Sequence, residues 1–193
     1  LAAVWRSAGG AVRAVDLVLG GDVANAFVAM RPPGHHAERT TAMGFCFFGN
    51  VAIAAKHALD HHGLRRVAIV DFDVHHGNGT QDLVEDDARI LFCSTHQSPL
   101  YPGTGAADET GVDDNVVNVP LEEGTNGRGF RVAMESRVLP RVDAFKPDLI
   151  IISAGFDAHR DDPLAGLTLV EDDFTWITEQ LCDLADKHCA GRV

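Results

Sequence analysis

The sequence predicts an α/β protein: a three-layer sandwich in which a central parallel sheet is flanked by helices. Three features of the chain support this prediction. The apolar runs are short and unbroken, helical patterns separate them, and polar residues collect directly after several of them. Unbroken apolar runs alternating with helices are typical of a parallel sheet that is covered on both faces. A length of 193 residues is that of one domain, so we predict a single domain over 1–193.

The first elements alternate helix and strand. Residues 2–19 have the spacing of an amphipathic helix that ends at Gly20, and 25–30 is a short apolar run that predicts a buried strand. Two prolines and two glycines make 31–45 a loop. The next helical pattern, 50–62, stops at a glycine.

The rest of the chain repeats this alternation. Unbroken apolar residues predict buried strands at 67–72, 90–94, 116–119 and 148–153. Helical periodicity predicts helices at 78–86, 128–144 and 171–188.

Charge and cysteine content restrict the class of protein. Twenty-eight acidic residues against 16 basic ones give a formal net charge of −12, which disfavours direct binding of nucleic acid. No apolar run reaches the roughly 20 residues that cross a bilayer, and the four cysteines lack disulfide or metal spacing. We expect a cytoplasmic protein with no membrane partner, and the sequence does not indicate its oligomeric state. Because the chain begins with Leu1 rather than Met, we expect it to be a piece of a longer one.

Titratable residues stand at the carboxyl ends of three predicted strands. His35 and His36 follow the first, the segment 71–78 (DFDVHHGN) ends the second, and Asp157 follows the run at 148–153. Open parallel sheets bind ligands beyond the carboxyl ends of their strands. The three clusters are therefore predicted to converge on one site.

The segment that starts at Asp71 has the donor spacing of a metal site. Residues two apart in an extended chain face the same side, so Asp71, Asp73 and His75 present two carboxylates and an imidazole together. A catalytic zinc takes three protein ligands and keeps a position open, and Asp73, His75 and Asp157 supply such a set. Asp71 is then left to accept a hydrogen bond from a histidine or to hold a hard cation through oxygen.

The adjacent histidines His35 and His36 lie in a loop and cannot both point into a core. Beside a metal, two imidazoles divide general-base and electrostatic roles. Asp71 and Asn78 are the acceptors available to orient them. A carboxylate favours a charged imidazolium, whereas an amide leaves its partner nearer neutral.

A second group of histidines has a simpler explanation than metal binding. His57, His61 and His62 fall in the last turns of a predicted helix, where cationic imidazole suits the helix dipole.

Six motifs, in this order, resemble those of the histone deacetylase superfamily. They are RPPGHHA (31–37), GFCFFGN (44–50), DFDVHHGNGTQ (71–81), YPGTG (101–105), NVPL (118–121) and SAGFDAHRDDPLAG (153–166). The residues of these motifs are most similar to those of the class II and bacterial branch, which includes acetoin-utilization-type and acetylpolyamine amidohydrolases. The resemblance implies the arginase/deacetylase-like fold and makes 1–193 a deacetylase-like catalytic domain truncated at both ends.

The resemblance also implies a role for each matching residue. The implied zinc ligands, with Fe²⁺ as the alternative ion, are Asp73, His75 and Asp157. His36 is the implied general base and later acid, paired with Asn78, and His35 is its neighbour, paired with Asp71. A structural potassium takes oxygens from five residues: Asp71, Asp73, His75, Ser94 and Thr95.

On the substrate side, the resemblance implies that Gly44 offers its carbonyl to the substrate amide N–H. Phe45, Tyr101 and Leu164 are implied to line an apolar channel for the acyl-lysine stem. The implied reaction is hydrolysis of an N-acyl amide, such as acetyl-lysine in a protein or an acetylpolyamine, by metal-activated water that gives a proton to His36. Members of the family carry a further oxyanion donor, usually a tyrosine, after the helix with which this chain ends, so we expect 1–193 alone to be weakly active or incompletely folded.

Two alternatives stay open. An arginase-type ureohydrolase shares the fold, but its two-manganese site calls for a second carboxylate two residues after Asp157, where this chain has His159. A non-catalytic module that binds acyl-lysine or polyamine is compatible with the missing tyrosine. The full ligand set and His36 argue against such a module.

Overall fold

The computed structural model describes residues 1–193 and contains the predicted parallel sheet. Its four strands are β1 (Val67–Asp71), β2 (Ile90–Gln97), β3 (Val116–Leu121) and β4 (Leu149–Ser153). All neighbours pair in parallel, in the order β3-β2-β1-β4. Every residue of β1 and β2 is buried, which explains why apolar and polar residues do not alternate along these strands.

Helices occupy the predicted stretches with small changes of bounds. They are α1 (Ala2–Leu19), α2 (Asn50–Asp60), α3 (Asn78–Val84), α4 (Gly127–Ala133), α5 (Leu139–Phe145) and α6 (Glu171–Cys189). A π-helical turn, Met134–Val138, joins α4 to α5, so the helix predicted at 128–144 is widened in its middle. No helix is both long enough and apolar enough to cross a membrane.

The helices form two outer layers, one on each face of the sheet. On one face, Val15 of α1 packs in an apolar cluster with Ile69 of β1. On the other, Ile177 of α6 and Phe130 of α4 pack in a second cluster with Val70. Successive residues of β1 therefore contribute to opposite layers, as the pleat of a strand requires.

The predicted strand at 25–30 is wrong. The segment has no regular structure, and its one backbone–backbone hydrogen bond runs from Ala26 N to Val193 O. Phe27 is 77% exposed. An apolar run becomes a strand only where a neighbouring strand offers a hydrogen-bonding edge, and within 1–193 no strand pairs with this segment.

β2 is longer than predicted, because it continues through polar residues to Gln97. These side chains are buried but have partners. His96 Nδ1 lies 3.0 Å from Ser94 Oγ, and Gln97 Oε1 accepts from the backbone N–H of Gly166 at 2.7 Å. Hydrogen bonding of this kind removes the cost of burying polar groups and lets the strand extend.

Candidate functional site

The three predicted clusters meet at the carboxyl edge of the sheet, beyond β1 and β4. The loop that carries the histidine pair is held against the first turn of α3, where Thr80 N donates to His35 O at 3.0 Å. Gly79 permits this approach, because a Cβ there would lie 2.4 Å from the backbone oxygen of Ala37. A loop from another part of the chain is thus fixed beside the strand ends.

Asp73, His75 and Asp157 form one compact group, and their ligand atoms all lie within 4.8 Å of one another. His75 Nδ1 is 3.0 Å from Asp73 Oδ1 and 3.0 Å from Asp157 Oδ2. Backbone amides orient both carboxylates: Val74 N donates to Asp157 Oδ1 at 2.9 Å, and His75 N donates to Asp73 Oδ1 at 2.8 Å. The structure therefore brings together the three predicted metal ligands.

The chemistry of this group fits a divalent transition metal. Hydrogen bonds that His75 donates to Asp157 and then to Asp73 raise its pKa to about 10, against the effect of burial. The two carboxylates therefore favour a positive charge at the position where they meet the imidazole nitrogen. Two carboxylate oxygens and one imidazole nitrogen are the ligands of an open zinc site, so the residues fit a zinc ion.

The histidine pair lies beside this group, and the two rings differ in charge. Their centroids are 4.0 Å apart, and both residues are buried. Burial lowers the pKa of His35, but the Asp71 carboxylate, 3.1 Å from Nδ1, outweighs it and raises the pKa to about 9. Burial and the neighbouring His35 charge lower the pKa of His36 to about 4, although the hydrogen bond to Asn78 opposes them.

The tautomer of His36 is set by Asn78, which is itself oriented by Glu38. Asn78 Nδ2 donates to Glu38 Oε1 at 2.6 Å, which places Asn78 Oδ1 towards His36 Nδ1 at 2.8 Å. A carbonyl oxygen only accepts, so Nδ1 of a neutral His36 carries the proton and Nε2 keeps a lone pair. Glu38 was missed from the sequence, although it stands two residues after His36 in the same loop.

His76, which had no predicted role, turns away from the metal group. Its Nδ1 lies 2.8 Å from Thr104 Oγ1 and its Nε2 lies 3.0 Å from Gln81 Oε1. Gln81 is oriented in turn, because its amide nitrogen donates to Glu109 at 2.8 Å. Burial lowers the pKa of His76, so a neutral ring braces the loop that contains Thr104. The two-residue spacing of an extended chain separates His76 from His75, but no sequence signal identified Thr104 and Gln81 as its partners.

Two of the four predicted substrate-side residues contact the histidine pair. A Cβ on Gly44 would lie 2.2 Å from His36 Cδ2, so only glycine allows this turn to approach the ring. The ring of Tyr101 meets His36 edge-on, with centroids 5.2 Å apart.

Phe45 and Leu164 are the other two. Phe45, the residue after Gly44, is 86% exposed and has a φ of 63°, an unusual conformation for a bulky residue. Leu164 is 71% exposed in the loop after Asp157. Both apolar side chains are therefore free to contact a ligand from solvent.

Three of the five residues predicted to hold potassium are buried in β1 and β2: Asp71, Ser94 and Thr95. Asp73 and His75 lie in the loop after β1 and are only partly buried. Asp71 and Ser94 are paired across the two strands, and neither is exposed to solvent. Thr95 Oγ1 is buried without a hydrogen-bond partner, whereas Ser94 Oγ already lies 3.0 Å from His96 Nδ1.

Comparison with known proteins identifies the family of the chain. The family model described as histone deacetylase domain matches residues 1–193. A protein named "Probable deacetylase" from Archaeoglobus fulgidus is 44% identical over 97% of this chain and 53% of its own length. A "Histone deacetylase-like amidohydrolase" from Pseudomonas aeruginosa is 44% identical over 97% of this chain and 50% of its own length.

A solved structure, the crystal structure of the HDA15 HD domain, has the same fold. Its TM-score to this chain is 0.92 at 42% identity, and the match covers 97% of this chain and 55% of that one. The chain thus spans about half the length of the relatives it matches.

Proposed function

The chain belongs to the histone deacetylase family, and from this membership and the geometry of the site we propose that it carries the catalytic core of a zinc-dependent amidohydrolase. The proposed reaction removes an acetyl group from an acetylated amine, such as acetyl-lysine in a protein or an acetylpolyamine. The observation that carries the proposal is the meeting of a three-ligand metal group with a neutral, oriented imidazole.

Asp73, His75 and Asp157 would hold the zinc, or an Fe²⁺ in its place. When bound, such an ion supplies Lewis-acid chemistry, because it polarises an amide carbonyl and lowers the pKa of water. Potassium held by Asp71, Ser94 and Thr95 would place a cation beside a buried carboxylate. The orphaned Thr95 Oγ1 supports this second ion.

In the proposed mechanism the two histidines hold different charges. His36 accepts a proton from water at Nε2, because its Nδ1–H is engaged by Asn78. The same nitrogen then returns the proton to the departing amine. His35, charged through Asp71, stabilises the negative charge that develops on the carbonyl oxygen.

The exposed apolar side chains support an acylated alkyl amine as the substrate. Phe45, Tyr101 and Leu164 would contact its aliphatic stem, and Gly44 O would accept from its amide N–H. The net charge of −12 favours approach of a cationic amine. The four free cysteines support a reducing, cytoplasmic location.

Neither alternative function gains an observation in its favour. A ureohydrolase site would need a carboxylate where His159 stands, and that ring lies beside Phe174, with centroids 6.4 Å apart. A binding module would not need the oriented lone pair on His36.

The test is an assay of the full-length, zinc-loaded protein against acetyl-lysine peptides and acetylpolyamines. We expect His36→Ala to lower turnover by about 10²–10⁴-fold while zinc is retained. His188→Ala is the matched control, since His188 bonds to Asp143 of α5 and not to the site. Wild-type turnover in His36→Ala would show that the mechanism is wrong, and binding of acetylated ligands without hydrolysis would favour the module.

A further inference from the structure

A second group of metal-ligating side chains lies between α1 and α2, outside the catalytic site. It consists of Asp16 on α1 and three histidines at the end of α2: His57, His61 and His62. The ligand atoms of these four residues all lie within 4.8 Å of one another. These four residues form what we call the interhelix cluster.

The geometry points to a second transition-metal site at the interhelix cluster, separate from the proposed catalytic zinc. We propose that it binds a divalent ion of the zinc, cobalt or nickel type through three imidazoles and one carboxylate. Four such ligands satisfy the coordination of a structural zinc, and imidazole nitrogen suits all three metals.

The first argument is the convergence of the side chains on one point. A single oxygen, Asp16 Oδ1, lies 2.7 Å from His57 Nε2 and 2.8 Å from His62 Nε2. The three imidazole rings are neighbours, with centroids between 4.8 and 5.2 Å apart. Ligand atoms from all four residues are close enough to share one divalent ion.

The second argument is the backbone that presents the ligands. His57 and His61 are four residues apart, the spacing that places two imidazoles on one helix face and that zinc-binding helices use. A position at the end of α2 does not explain why a carboxylate from α1 lies within hydrogen-bonding distance of two of these rings.

The third argument is access. The side chains of Asp16, His57 and His62 are 31%, 22% and 22% exposed, and His61 is more exposed than these. An ion can therefore reach the four ligands from solvent without any rearrangement of buried side chains.

The interhelix cluster is remote from the catalytic site. α2 leads into the amino end of β1, whereas Asp73 and His75 follow its carboxyl end. A strand of 5 residues puts roughly 15 Å between the two ends. An ion at the cluster would join α1 to α2, and we expect it to stabilise that layer without taking part in the reaction.

The experiment measures zinc bound to the full-length protein by elemental analysis after equilibration with Zn²⁺ alone. We expect two equivalents for the natural protein and one for the double variant His57→Gln/His61→Gln, with its deacetylase activity unchanged. Asp157→Ala should keep the equivalent at the interhelix cluster. Lys56→Gln, on the same helix and outside the cluster, is the matched control.

Titration with Co²⁺ gives an independent readout, because tetrahedral cobalt has visible absorption bands. The single variant His61→Gln changes an exposed side chain and should leave the fold intact, yet weaken the second Co²⁺ by more than about 10-fold. One equivalent in the natural protein with none in Asp157→Ala would overturn the proposal. A second equivalent that persists in the double variant would overturn it as well.

Discussion

Replacing Gly155 by alanine tests whether the position of Asp73 controls the metal site. Gly155 follows β4, and a Cβ at this position would lie 2.1 Å from Asp73 Oδ2 and 2.5 Å from its Cγ. Real Cβ atoms essentially never approach another heavy atom within 3.0 Å. The Asp73 carboxylate must therefore move by about 1 Å or more.

This movement should disrupt the ligand group. Asp73 Oδ1 accepts from His75 N at 2.8 Å and lies 3.0 Å from His75 Nδ1, so both contacts are lost or lengthened. A displacement of about 1 Å at a reacting centre costs on the order of 10²-fold in rate, which corresponds to about 2.7 kcal/mol. We expect a loss of at least this size in kcat/KM, together with weaker zinc binding.

The assay combines hydrolysis of an acetyl-lysine peptide with zinc analysis of the full-length protein. Gly9→Ala in α1 is the matched control, because nothing lies within 4 Å of the added Cβ. That change should leave activity unaltered and stabilise the helix by about 0.5–1 kcal/mol. If Gly155→Ala binds zinc and turns over substrate like the natural protein, the assignment of Asp73 as a ligand is wrong.

Three further experiments probe the ligand set, the core and a buried thiol. Asp157→Ala should lose one equivalent of zinc relative to the natural protein while the circular dichroism spectrum is kept; undiminished zinc would remove Asp157 from the ligand set. Phe130→Ala should lower the free energy of unfolding by about 3–5 kcal/mol in a urea titration, because this side chain is 1% exposed, whereas Val132→Ala, at 57% exposed, should cost under about 0.5 kcal/mol. Burial raises the pKa of Cys46 to about 11, so mass spectrometry after iodoacetamide treatment at pH 8 should find Cys182 labelled before Cys46, and rapid labelling of Cys46 would contradict its burial.

Much of the fold could be predicted because hydrophobic pattern and burial agree along most of the chain. β1 and β4 are unbroken apolar runs that lie in the middle and at the edge of one sheet. The segment 25–30 has the same pattern and no strand neighbour, so its composition was misleading. Pairing depends on residues far away in the sequence, and periodicity carries no information about them.

The grouping of the three proposed metal ligands could be predicted for a different reason. Extended backbone fixes which side chains face the same way, and parallel strands align their carboxyl ends, so spacing and sheet topology together predicted that Asp73, His75 and Asp157 would meet. Glu38 and Gln81 could not be found in this way. Their roles depend on which end of a neighbouring amide or ring they face, and only coordinates define that orientation.

Burial and the charge on His35 lower the pKa of His36, and the residue at 78 decides whether a second carboxylate opposes them. His35 and His36 are adjacent in one loop, but His35 faces the carboxylate of Asp71 and His36 faces the amide of Asn78. A second carboxylate at 78 would favour protonation of both rings, and two imidazolium charges would then stand 4.0 Å apart with no lone pair available for a proton. The amide gives His36 an acceptor for Nδ1–H without adding a negative charge, and Glu38 prevents the amide from turning over. We therefore propose that Asn78 leaves His36 as the base and the positive charge on His35.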